Sequence, residues 1–90
     1  MRILAIDHGT KRIGLAISDE EGRVVVPYDM IENKSSEYVR ERLQKIVHDE
    51  HIGMFLVGMP FALEGDVPNK QLENVRAFID DLGRQFLTPI

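Results

Sequence analysis

The richest concentration of chemically useful side chains lies early in the chain, in AIDHGTKRIGLAISD, residues 5–19. An apolar run with Ile3, Leu4 and Ile6 ends on Asp7, and His8, Gly9, Thr10, Lys11 and Arg12 follow at once. A carboxylate taken out of water needs a cation, backbone N–H donors or a metal as partner. Two readings of Asp7 are open. In one it accepts hydrogen bonds from the Gly9 and Thr10 amides, as an Asx-turn does. In the other it holds Mg²⁺, a hard cation that prefers carboxylate oxygen and retains several waters. Gly9 lets the backbone bend and approach a ligand closely. Thr10, Lys11 and Arg12 offer a hydroxyl and two cations suited to phosphate; taken singly, the two cations are equally well read as solvated turn residues.

Other titratable groups carry weaker signals. Neighbouring side chains on a strand point apart, so His8 is expected in a structural or solvent-facing role rather than beside Asp7 on one ligand. His48 and His51 fall near a helix end, where a protonated imidazole complements the dipole. Asp19, Glu20 and Glu21 belong to a hairpin turn, Glu64 and Asp66 to a loop, and all five read as solvated charges.

The elements that must position these residues follow from patterning. Arg2 to Asp7 reads as a short buried strand. Arg12 to Asp19 reads as a second, with Ile13, Leu15 and Ile17 on one face and the small Gly14, Ala16 and Ser18 on the other. Those small residues suggest close approach on their side. Glu21-Gly22 marks a turn into a third strand, RVVVPYDMI, whose Pro27 confines it to a sheet edge or ends it early. Ser35 or Ser36 caps a helix running to about His51, with Val39, Leu43, Ile46 and Val47 inward and Arg40, Glu41, Lys45 and Asp49 toward water. The apolar run Ile52 to Pro60 predicts a parallel strand covered on both faces, with Met54 and Met59 as core filling. A loop with Gly65 follows, then a helix from about Pro68 to Phe86 whose seam is Leu72, Val75, Ile79, Leu82 and Phe86. The order is β-β-β-α-β-α. After LTPI a helix packed on a sheet would normally return to it as another strand.

Ninety residues suit one small domain. Apolar residues at 43% and charged residues at 29% are ordinary for a globular chain. No apolar stretch reaches the roughly 18 residues of a membrane span. The absence of cysteine removes disulfide, thiolate-metal and cysteine-nucleophile chemistry and fits a cytoplasmic protein. A net charge of −4 and a pI near 5.3 argue against broad nonspecific nucleic-acid binding, while leaving room for a local basic patch.

Two blocks taken together resemble one known family. The YqgF (RuvX) family of RNase H-like Holliday junction resolvases and pre-16S rRNA nucleases opens with D-x-G-T-K-R-I-G-x-A-x-S-D. Asp7, Gly9 to Gly14, Ala16, Ser18 and Asp19 match it. Its later V-G-x-P and loop glycine are matched by Val57, Gly58, Pro60 and Gly65. The resemblance covers essentially all ninety residues. It implies an α/β, RNase H-like mixed sheet and a nuclease that hydrolyses phosphodiester bonds in structured nucleic acid, pre-16S rRNA or branched DNA. It also implies Mg²⁺ or Mn²⁺ as cofactor, Asp7 as catalytic carboxylate and metal ligand, and Gly9, Thr10, Lys11 and Arg12 as phosphate contacts. The family's D-E-R-x-T segment and its C-terminal helix with another catalytic aspartate have no match in residues 1–90. The expectation is therefore an RNase H-like domain lacking its last strand and helix, with an incomplete set of acids. In that fold the first strand pairs with the fourth, so Met54 to Met59 is expected to form an exposed apolar edge hidden in a homodimer or larger assembly. Two other readings remain open: a nucleotide-phosphate module of the actin/sugar-kinase type, which also opens with D-x-G-T, and a catalytically inactive RNA-binding relative.

Overall fold

The computed structural model describes residues 1–59 and 69–90. Glu64, Gly65, Asp66, Pro60 and Pro68 lie outside the described residues. Six elements follow in the expected order: β1 (Arg2–His8), β2 (Arg12–Ser18), β3 (Val25–Glu32), α1 (Ser36–Glu50), β4 (Ile52–Val57) and α2 (Asn69–Gln85). The strands form one sheet in the order β3-β2-β1-β4, with β1 antiparallel to β2 and parallel to β4. This is the mixed sheet that the resemblance implied, with the first strand in its interior.

Register decides what each face carries. Leu4 pairs with Ile17, Ile6 with Leu15 and His8 with Ile13, so these six stand on one face. Ala5 pairs with Ala16 and Asp7 with Gly14 on the other. The first face meets both helices. Its core joins Leu4, Ile6, Ile13, Leu15, Ile17 and Ile31 to Val39, Leu43 and Ile46 of α1, Phe55 of β4 and Leu82 of α2. Phe55 also meets the Phe86 ring edge-on at 5.3 Å. Burial of such branched and aromatic side chains is the main favourable term in the fold.

Local chemistry sets the element ends. Ser35 caps α1, its hydroxyl accepting from the Tyr38 amide at 3.1 Å. His51 ends the helix in the left-handed region at φ 54, with its N–H on the Val47 carbonyl. Pro27 sits in β3, the edge strand, beside a register shift that leaves Tyr28 as an extra residue. The freed Tyr28 hydroxyl donates to Glu50 at 3.1 Å, and Arg2 donates to the same carboxylate at 2.6 Å. One acid at the end of α1 thus ties β1 to β3.

Several expectations are corrected. β4 is not covered on both faces: Leu56 is 59% exposed, because among the described residues both helices pack on one side of the sheet. Met59 is 47% exposed and Met54 half-buried, so neither is simple core filling. Arg40 is half-buried rather than turned to water, since it lies on the side of α1 that faces α2. The outer edge of β4 is not wholly bare either. The Phe55 N–H donates to the Pro89 carbonyl at 2.8 Å, so the segment after α2 lies along that edge. β1 runs one residue past Asp7, and β4 stops at Val57.

Candidate functional site

Asp7 stands near the carboxyl end of the interior strand, on the face away from the helices. Its side chain is exposed rather than buried, and no hydrogen bond or ion pair engages it among the described residues. The Asx-turn reading is therefore not realised: neither the Gly9 nor the Thr10 amide is spent on this carboxylate. Opposite Asp7, Gly14 carries no side chain, and a Cβ built there would lie 3.8 Å from the Asp7 Cβ. The small residues of β2 thus leave open ground beside the acid. Around it, Ala5, Ala16, Pro27, Leu56 and Gly58 line a shallow, mostly apolar depression on the sheet.

The β1–β2 turn is shaped by a steric requirement. A Cβ at Gly9 would collide with the Arg12 carbonyl oxygen, a backbone atom that cannot move aside, so only glycine fits. Asn33, just after β3, holds this turn. Its side-chain amide donates to the Gly9 carbonyl at 3.0 Å, and its backbone N–H donates to the Lys11 carbonyl at 2.9 Å. Sequence reasoning missed Asn33; an asparagine one residue past a strand was the available signal, and only the sheet order brings it to the turn. Thr10, Lys11 and Arg12 are exposed, and neither cation is in an ion pair among the described residues. Two-residue alternation from Gly14 puts Arg12 on the Asp7 face.

His8 points the other way. Its ring lies 4.6 Å from the Phe78 ring, with Nε2 3.4 Å from the Asn33 amide nitrogen. Burial holds the imidazole below its ordinary 6.5, against the opposing pull of the Asp7 carboxylate. This is the structural role expected of it.

Asp19, Glu20 and Glu21 lie at the opposite end of the β1–β2 hairpin from Asp7, roughly 20 Å away by the rise of a seven-residue strand. Asp19 accepts from the Arg23 and Val24 amides at 2.8 and 3.3 Å, and those donors lower its pKa. It shapes its own turn. Glu32 lies on the Asp7 face but two strands off, so by strand spacing alone it stands about 10 Å or more away. Among the described residues no three His, Cys, Asp or Glu side chains are grouped to hold a metal. One unpartnered carboxylate fits a single protein contact to Mg²⁺, an ion that otherwise keeps waters and takes substrate phosphate oxygens. It does not by itself make a site for two ions.

With this geometry in place, comparison with known proteins decides the family. The family model of RuvX, described as Holliday junction resolvase, matches residues 1–90. The chain belongs to this family. Its sheet is accordingly the RNase H-like one of RuvX proteins. Among curated relatives, a protein of Maridesulfovibrio salexigens is 36% identical over 90 residues, covering 100% of this chain and 66% of its own. One of Thermoanaerobacter pseudethanolicus is 34% identical over 90 residues, covering 100% of this chain and 64% of its own. One of Halothermothrix orenii is 33% identical, again over 100% of this chain and 64% of its own. All three bear the name "Putative pre-16S rRNA nuclease". The chain spans just under two-thirds of the length of these relatives. Among the described residues no helix is long and apolar enough to cross a membrane.

Proposed function

We propose that this RuvX-family chain carries the metal-holding, phosphate-binding part of a cytoplasmic nuclease. Its substrate is structured nucleic acid, precursor 16S rRNA or branched DNA. The observation that supports this most is the Asp7 carboxylate: exposed, without a protein partner among the described residues, and beside the unpaired cations of the 9–12 turn.

In this reading Asp7 contributes one carboxylate contact to Mg²⁺ or Mn²⁺. The bound ion supplies activation of a water and stabilisation of the leaving oxygen. The chain's own residues do the positioning. Lys11 and Arg12 neutralise phosphate charge, the Thr10 hydroxyl and turn backbone take phosphate oxygens, and Gly9 allows the close approach. Gly14 and Ala16 keep the sheet face low beside the acid, so a nucleic-acid backbone can lie across it. Residues 1–90 supply the strand that bears Asp7 and the turn that follows it.

Cleavage of precursor 16S rRNA and of four-way junctions, with and without Mg²⁺, tests the reading. Divalent-dependent cleavage that Asp7→Asn abolishes is expected. Tight binding without cleavage favours the inactive RNA-binding relative, and ATP binding without either favours the actin/sugar-kinase reading.

Self-association belongs to the same reading. Its surface is the outer edge of β4, the end strand of the sheet, beyond which Met59 is 47% exposed. A dimer by light scattering is the expected result; a monomer at high concentration removes it.

A further inference from the structure

On the helix side of the sheet, a cavity of about 310 Å³ lies between α1 and α2, above the ends of β1 and β3. That is at the lower end of the range of small-ligand pockets. It opens to solvent on one side, and its lining is partly polar. Core side chains form its floor, and Arg40, Asn33, Asn74 and Asp81 face it from the walls.

Three features of the lining converge on one ligand chemistry. Arg40 is half-buried, and no carboxylate lies within ion-pair distance of it among the described residues. A guanidinium without a carboxylate partner favours an anion, and phosphate suits its forked donors. The adjoining His8 and Phe78 rings, 4.6 Å apart, present aromatic surface at the wall. Such surface takes the flat face of a base whatever its identity. Asn74 can donate to and accept from a base edge, and Asp81 can accept from hydroxyl or amino groups.

We propose that the cavity between α1 and α2 binds a nucleoside monophosphate, with its phosphate on Arg40 and its base against Phe78 and His8. The ligand is either a free nucleotide or the terminal nucleotide of a strand. This site lies across the sheet from Asp7 and is independent of the metal reading. The two adjoin at β1, where His8 faces the cavity and Asp7 the open face, and at Thr10, which lines the cavity and belongs to the 9–12 turn.

The test is titration of the isotope-labelled chain with adenosine 5′-monophosphate, adenosine, inorganic phosphate and a short 5′-phosphorylated oligoribonucleotide, followed by amide chemical shifts. The monophosphate is expected to shift amides around Arg40, Asn74 and Phe78, with adenosine binding more weakly. Arg40→Gln should weaken the monophosphate about tenfold or more and leave adenosine unchanged. Asn74→Leu should weaken both. Asp7→Asn should change neither, which separates this site from the metal reading. Oligonucleotide shifts at these amides without binding of free nucleotide support the same site with a strand end as its ligand. Shifts confined to the Asp7 face, no shifts with any probe, or unaltered affinity in Arg40→Gln overturn the proposal.

Discussion

The side-chain amide of Asn33 donates to the carbonyl of Gly9 at 3.0 Å, joining the end of β3 to the turn between β1 and β2. The turn therefore does not stand on its own bonds alone. Asn33 holds its backbone from the neighbouring strand, on the helix side, and among the described residues the Asp7 carboxylate and the cations of Lys11 and Arg12 are left unspent.

Removing that tether is expected to loosen the turn without unfolding the sheet. Asn33→Ala forfeits one side-chain hydrogen bond to a half-buried carbonyl, about 1 kcal/mol. Urea unfolding measures the loss, and amide exchange should quicken at residues 9–12. An unchanged midpoint would show that the backbone bond to Lys11 suffices.

Asp7→Asn should leave stability within about 0.5 kcal/mol, since among the described residues the exposed carboxylate has no protein partner to lose. The same change should remove the paramagnetic broadening that Mn²⁺ imposes on amides around residue 7. A large drop in melting temperature would mean that the carboxylate serves the fold.

Gly9→Ala is expected to destabilise far more than an ordinary surface glycine replacement. The added methyl meets the Arg12 carbonyl, and relief requires the turn to open. Where the conformation permits it a glycine-to-alanine change stabilises by about 0.4–1 kcal/mol; here the sign reverses and the cost should exceed about 1 kcal/mol. Thermal unfolding is the measurement, and near-identical stability would refute the close approach.

Asp19 links pH to the hairpin. Amide donors from Arg23 and Val24 stabilise its charged form, so its folded pKa lies below the usual 3.8. The stabilisation is complete above the unfolded value and is lost as pH falls through the folded one. Carboxyl NMR titration should place Asp19 below the ordinary aspartate value of 3.8. Asp19→Ala should remove the corresponding part of the acid sensitivity.

Phe55 is 1% exposed and meets Phe86 edge-on, and its N–H is bonded to the Pro89 carbonyl. Phe55→Ala should cost about 3–5 kcal/mol. Shortening the chain by residues 87–90 should leave most of the core intact but speed exchange of the Phe55 amide, which loses its acceptor.

By itself the sequence determined the element order, a serine cap at Ser35 or Ser36, an edge place or early stop for the Pro27 strand, and the motif around Asp7. Each of these is local: apolar period, capping oxygen, a missing donor and a run of residue types all act within a few positions. Tertiary structure alone decided which sheet face stayed open, because a continuous apolar run such as Ile52 to Val57 does not say how many of its faces a helix will reach. The same holds for Arg40, whose place on α1 reads as solvent-facing until α2 is packed beside it, and for Asn33, whose partner at Gly9 is twenty-four residues away. Solvation of Asp7 was settled in that way too. Its place at the end of the first strand was legible, but its lack of a hydrogen-bond partner among the described residues depends on where the other strands and helices came to rest.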